Sequence, residues 1–299
     1  MLEVLQSTPA PRVVCTFSGG KDSLVSTVMT LELLNKVEFD AYVCYVNTTN
    51  EFPVTVDYVH KMFDWFEKRY PVKCYEVKPK VTFEQIADKV FEQFAVMVKQ
   101  GKWDKESLIC AQVLKVEPMM RFVKDFRCNI MVEGVRGEES WIRYMSIMNH
   151  GPVTGCGVEG CKKVKPIWNW SAEEVMDFIQ KRKLPVNPIY SMGQKGTGCM
   201  LCPVQFFVGG PGILRAVPKE QLERYRKLLK KHLGVSRIDE YFRHDPVLEF
   251  IKQRRPTRDE LIGEFGDEAV DYANLLIRKH LVVRVFDLFR NDVVYTVVS

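Results

Sequence analysis

Ser18-Gly19-Gly20-Lys21-Asp22-Ser23 is the segment whose residue types most directly imply chemistry. Glycines let a backbone turn tightly and approach phosphate oxygens, and consecutive N–H groups at a helix N-terminus supply positive potential. Lys21 adds a full charge, and Ser18 and Ser23 add hydroxyl donors. A Walker A loop has four residues between Gly and Gly-Lys, a spacing absent here. The segment therefore reads as a phosphate cradle of another kind, against the plainer alternative of a strand-to-helix turn that uses Gly and Ser for geometry.

The nine cysteines are the second set. Cys15, Cys44, Cys74, Cys110 and Cys128 stand singly, whereas Cys156/Cys161 and Cys199/Cys202 are close pairs. In a reducing compartment close pairs indicate a metal or redox site more than a disulfide frame. Cys199-Met-Leu-Cys202, between Gly198 and Pro203, has metal-ligand spacing, and Cys156-Gly-Val-Glu-Gly-Cys161 is looser. Together they make a four-thiolate set suited to zinc or a [4Fe–4S] cluster, and spacing does not separate the two.

Hydrophobic residues make up 46% of the 299 and charged residues 27%, the balance of a soluble globular protein. No run of about 18 apolar residues suggests a membrane span. Met1 to Arg12 lacks a basic region followed by an apolar core, so the expected location is cytoplasmic. The net charge of +5 is concentrated: residues 215–255 hold 12 Lys/Arg against 6 Asp/Glu. That block implies an anionic partner or, equally, a solvated helix face.

These residues need elements to hold them. Arg12-Val-Val-Cys-Thr-Phe17 reads as a buried strand ahead of the glycine loop, and residues 22–36 as a helix with Leu24, Val28, Leu31 and Leu34 on one face. Strands follow at 41–46, 73–77 and 129–132, and helices at 53–70, 83–99 and 115–127. Strands alternating with helices imply an α/β fold, a parallel twisted sheet with helices on both faces. Ligands bind such sheets beyond the carboxyl ends of the strands, where the loop and Glu133-Gly134 both lie. Ser171 with Glu174 forms a capping box that opens a helix over 172–183. Further on, 219–233 reads as a basic helix. Helices at 258–265 and 268–280 followed by strands at 282–286 and 293–298 outline a winged helix. The expected domains are 1–205, a basic helical segment 206–255, and a winged-helix-like 256–299.

The loop resembles the SGGxDS loop of the PP-loop ATP pyrophosphatases, which holds the pyrophosphate leaving ATP. Asn50-Glu-Phe-Pro-Val-Thr55, Glu133-Gly-Val-Arg-Gly-Glu-Glu-Ser-Trp-Ile-Arg143, Lys165-Pro-Ile-Trp-Asn-Trp170, Leu184-Pro-Val-Asn-Pro-Ile-Tyr190 and Gly198-Cys-Met-Leu-Cys-Pro203 resemble, in one order, the phosphoadenosine phosphosulfate (PAPS) reductase family over residues 12–205. The resemblance implies an adenine nucleotide alpha hydrolase-like fold and a nucleotide held by Ser18, Gly19, Gly20, Lys21, Asp22, Ser23, Gly134 and Ser140. Lys21, Asp22, Arg136 and Arg143 would take part in catalysis, with the two guanidinium groups facing the anionic end of nucleotide or substrate. Mg2+ would accompany the ATP. For the metal the resemblance favours iron–sulfur, with Cys199 and Cys202 as ligands. Cluster-bearing members take their other ligands from a Cys-Cys pair before Lys-Val-Glu-Pro. Here Cys110-Ala111 precedes Lys115-Val-Glu-Pro118, so Cys110 is either a substitute for Cys156 or Cys161 or a thiol packed in the core.

Two departures separate the sequence from the reductases of the family. Those attack sulfate sulfur with a cysteine in a C-terminal tail, and no cysteine follows Cys202 here. They also usually lack the full SGGxDS loop. The leading expectation is thus an enzyme that cleaves ATP between the α- and β-phosphates to adenylate an acceptor in sulfur metabolism or sulfur transfer. A sulfur donor protein and tRNA or DNA, the latter through 215–255 and 256–299, are the expected partners. The alternatives are a PAPS or APS reductase using an external thiol, and a nucleotide-dependent nucleic-acid-binding protein without catalysis.

Overall fold

The computed structural model describes residues 1–100, 108–139, 141–192, 194, 196–204, 217–233, 250–251, 253–265, 270, 273–274, 277, 282–287, 290 and 292–297. The chain divides into two compact units, Met1–Phe94 with Asp104–Leu222, and Ala95–Trp103 with Glu223–Ser299.

The first unit alternates strands and helices: α1 (Leu2–Ser7), β1 (Arg12–Thr16), α2 (Lys21–Leu31), β2 (Asp40–Val46), α3 (Pro53–Glu67), β3 (Lys73–Val77) and α4 (Phe83–Lys99, whose last residues belong to the second unit). It continues with α5 (Ile109–Ala111), a π turn Gln112–Val116, α6 (Glu117–Asp125), β4 (Ile130–Val132), α7 (Trp141–His150), β5 (Val153–Gly155), β6 (Lys162–Val164) and α8 (Ala172–Arg182). The strand order is β3-β2-β1-β4-β6-β5, parallel except for β5, which runs antiparallel to β6 at the edge. The expected α/β fold is therefore present.

Successive residues of a strand face opposite sides of a sheet, and the core divides accordingly. Val13, Cys15, Ala41, Val43, Tyr45, Ile130 and Val132 join one buried cluster with Leu24, Val28 and Leu31 of α2, Val59 and Phe66 of α3, and Val175 and Ile179 of α8. Val14, Cys44 and Met131 join the other, with Met119, Phe122 and Val123 of α6. Covering both faces is what a central parallel strand requires, and it explains why Val13–Cys15 of β1 and the whole of β4 are unbroken apolar runs. On the α6 face Phe122 stacks on Phe126 at 4.2 Å and meets Tyr42 edge-on at 6.3 Å. The Ser171 capping box opens α8 as expected.

In the second unit the described elements include α9 (Lys219–Leu233, which begins in the first unit), α10 (Arg258–Phe265) and the hairpin β7 (Val282–Asp287) with β8 (Asp292–Val297). Ile251, Leu261, Ala273, Val282 and Tyr295 form its small core. The second helix of the winged-helix outline, Glu268–His280, lies largely outside the described residues.

Candidate functional site

The carboxyl edge of the sheet gathers the loop. β1 ends at Thr16, and the chain turns through residues 17–20 into α2, with Gly20 as N-cap. Gly19 has φ +75°, a left-handed conformation that glycine adopts without strain. Ser23 fixes the turn: its Oγ accepts the Ser18 N–H at 3.2 Å and donates to the Gly20 carbonyl at 2.9 Å, and it lies 3.1 Å from Ser18 Oγ. Gly134 presses against the first turn of α2. A Cβ there would sit 2.5 Å from the Ser23 backbone nitrogen and 2.6 Å from the Asp22 carbonyl. The N-terminus of α2, with Lys21 as its first residue, is thus presented at the edge where an anion is favoured.

Arg136 is placed differently from the expectation that it faces an anionic ligand. Its Nε donates to Asp22 at 2.5 Å and one terminal nitrogen to Glu138 at 2.6 Å and to the Trp170 carbonyl at 3.3 Å. The residue is 4% exposed, so a protein carboxylate, not solvent, sets its direction. A buried guanidinium needs such partners. Arg143 pairs with Glu139 one helical turn earlier. Ser140 lies outside the described residues.

Three residues bear on the loop that the motif reading did not single out as site residues. Asn187 is 2% exposed and donates to the Gly19 carbonyl at 3.1 Å and to Thr55 Oγ1 at 3.2 Å. Tyr190 Oη accepts the Lys21 N–H at 3.0 Å, and a Cβ on Gly20 would lie 3.0 Å from Thr197 Oγ1. Beyond the ends of β2 and β3 a cavity of about 450 Å³ opens between Asn47, Thr49, Glu51, Pro53 and Lys78.

The cysteine pairs do not meet, which corrects the four-thiolate set. The Asn50 carbonyl, past the end of β2, accepts the Met200 N–H at 2.6 Å, and Asn50 Oδ1 accepts the Leu201 N–H at 3.0 Å. Cys199 and Cys202 are thereby held at the carboxyl edge. Cys156 and Cys161 flank the loop between β5 and β6, joined by Cys156 N–H to the Cys161 carbonyl at 3.0 Å. Because Cys161 precedes β6, this pair lies at the amino edge, in one core cluster with Cys44 and Cys128. The five residues of β1 span about 16 Å between the edges, far beyond the reach of one metal centre.

The thiol electrostatically linked to Cys199 and Cys202 is instead Cys110 of α5. Burial pushes it up to about 12, with the charges of those two cysteines adding to the shift. Lys115 belongs to the same neighbourhood: the charge of Cys199, followed by that of Glu51, holds it protonated above its ordinary value against desolvation. Among the described residues no group of three or more His, Cys, Asp or Glu is arranged to hold a metal ion. Nor is any described helix long and apolar enough to cross a membrane.

A mostly parallel sheet with a glycine-serine loop between its central strand and the following helix places the chain in the doubly wound α/β class. Residues 12–205 match the family model described as the phosphoadenosine phosphosulfate reductase domain, and the chain belongs to that family. Two uncharacterised proteins of Methanocaldococcus jannaschii are 26% and 30% identical over 76% and 63% of this chain. The chain spans only 43% and 40% of their lengths. An adenosine 5'-phosphosulfate reductase of Bacillus cereus is 23% identical over 62% of this chain and 72% of its own. A PAPS reductase from Candida auris, solved as a phosphate complex, aligns at a TM-score of 0.45 and 23% identity over 66% of this chain and 87% of that one. The assignment rests on the sequence match.

Proposed function

We propose that this chain is an ATP-using enzyme of sulfur metabolism that binds Mg-ATP at Ser18–Ser23 and adenylates an acceptor. The observation that carries the reading is the complete Ser-Gly-Gly-Lys-Asp-Ser loop at the carboxyl edge of β1, opening into α2, in a chain of this family. A nucleophilic atom of the acceptor attacks the α-phosphorus. The bond from that phosphorus to the bridging oxygen breaks, and the electron pair leaves with pyrophosphate. Backbone N–H groups of the loop and the Lys21 ammonium stabilise the departing charge, a preorganised electrostatic effect. Asp22 and Arg136 act as positioning residues that lock the 133–139 turn to α2, with Gly134 against the same turn of helix. Arg143, at the surface and paired with Glu139, is the guanidinium we assign to the acceptor side. Mg2+, when bound, offsets phosphate charge.

Cys110, Cys199 and Cys202, electrostatically linked with Lys115, suit an iron–sulfur group in the kind of donor they offer, but among the described residues they are not arranged as a metal-holding group. Cys110, Cys199 and Cys202 are the residues that would hold such a group or a zinc ion, which would supply sulfur-transfer chemistry or a structural tie. The exposed Arg226, Lys227, Lys230 and Lys231 of α9 favour a polyanionic acceptor such as tRNA or DNA, and a sulfur donor protein completes the proposed set of partners.

Incubation with labelled ATP and candidate acceptors should release pyrophosphate and leave AMP on the acceptor. ADP as the sole nucleotide product would refute adenylation. The B. cereus relative and the family match support a second reading, reduction of APS or PAPS by an external thiol. Sulfite formation from either sulfonucleotide with dithiol donors decides for it, and pyrophosphate release without sulfite decides against it.

A further inference from the structure

Tyr190 occupies a backbone donor at the start of α2. Its Oη accepts the N–H of Lys21, the first residue of α2, at 3.0 Å. That N–H is one of the donors a helix leaves open at its N-terminus, and such donors are the ones an oxyanion takes. Tyr190 is also backed by structure. It closes the 3-10 turn Pro188–Tyr190, whose N-cap Asn187 is anchored on the Gly19 carbonyl and Thr55. The same side of the loop is crowded: a Cβ on Gly20 would lie 3.0 Å from Thr197 Oγ1 and 3.6 Å from Tyr190 Oη. Lys21 Nζ sits 5.9 Å from the Tyr190 ring centroid, so both charge and backbone donor of this residue lie against the tyrosine. Burial, together with the charges of Asp22 and Glu139, raises the Tyr190 pKa despite the Lys21 hydrogen bond, so the hydroxyl is neutral at physiological pH.

We propose that Tyr190 gates the phosphate loop, its hydroxyl filling one acceptor position of the cradle until a nucleotide phosphate displaces it. The proposal rests on the reading of Ser18–Ser23 as a phosphate-binding loop. A charge-assisted bond from the Lys21 N–H to an oxyanion is roughly twice as strong as one to a neutral hydroxyl. Displacement therefore favours anions and disfavours neutral ligands, and Tyr190 sets the affinity threshold of the site.

The test is titration of inorganic pyrophosphate and of ATP into the protein and its Tyr190→Phe variant, with hydrogen exchange at the Lys21 amide. Removal of one hydrogen-bonded competitor should tighten pyrophosphate binding about fivefold. In the ligand-free state the Lys21 amide should exchange faster in the variant than in the wild type. Binding to the variant alone would also support the gate. If the wild type binds and the variant binds equally or more weakly, the gate falls and the nucleotide reading stands. If neither binds, both fall. Equal Lys21 exchange in the two proteins overturns the gate whatever the binding result.

Discussion

Gly134 shows how a single missing Cβ can hold a site together. Its backbone lies against the Asp22–Ser23 peptide, where a Cβ would approach backbone atoms to 2.5–2.6 Å. Backbone cannot yield as a flexible side chain can, so Gly134→Ala must push the 133–139 turn away from α2. Overpacking of this kind costs about 1–3 kcal/mol. The expected outcome is a folded protein whose ATP affinity, read by calorimetry, falls about tenfold or more. Residues within the glycine loop were legible in the sequence because they act on one another locally, as Ser18 and Ser23 do across five positions. Arg136 was legible as a site residue but not in its direction, because Asp22, which turns it inward, is 114 positions away. Asn187 and Tyr190 lie 168 and 169 positions from their loop partners. The Asn-Pro-Ile-Tyr segment carries no local mark of that contact.

At the scale of elements, long apolar runs announced themselves and short polar ones did not. Val13–Cys15 of β1 and Ile130–Val132 of β4 are buried on both faces, and these stretches are continuously apolar for that reason. β5 (Val-Thr-Gly) and β6 (Lys-Lys-Val) have three residues each and little apolar content, so the hairpin is set by its pairing with β4 and not by its own pattern. The amphipathic α6 was legible at both ends to within a few residues, and its weight falls on Phe122. That ring is 3% exposed, stacked on Phe126 and in contact with Tyr42. Phe122→Ala should lower stability by about 3–5 kcal/mol in chemical denaturation, with the secondary structure of the folded state retained.

At the scale of the whole molecule, spacing along the chain misled where distance across the sheet decided. Two cysteine pairs suggested one site, yet the strands carry them to opposite edges. Cys199→Ser or Cys202→Ser should therefore reduce any iron or zinc in anaerobically purified protein, read by metal and sulfide analysis. Cys156→Ser and Cys161→Ser should leave that content unchanged. The central position of β1 has a consequence in time as well as in space. Its partner β2 follows within about thirty residues, but β4 pairs Val13 with Ile130. At translation rates of about 5–20 residues per second, β1 waits on the order of ten seconds on the ribosome with one edge unpaired. Gly134 and Tyr190 emerge later still, so the loop nearest the amino terminus is among the last parts of this unit to acquire its finished shape.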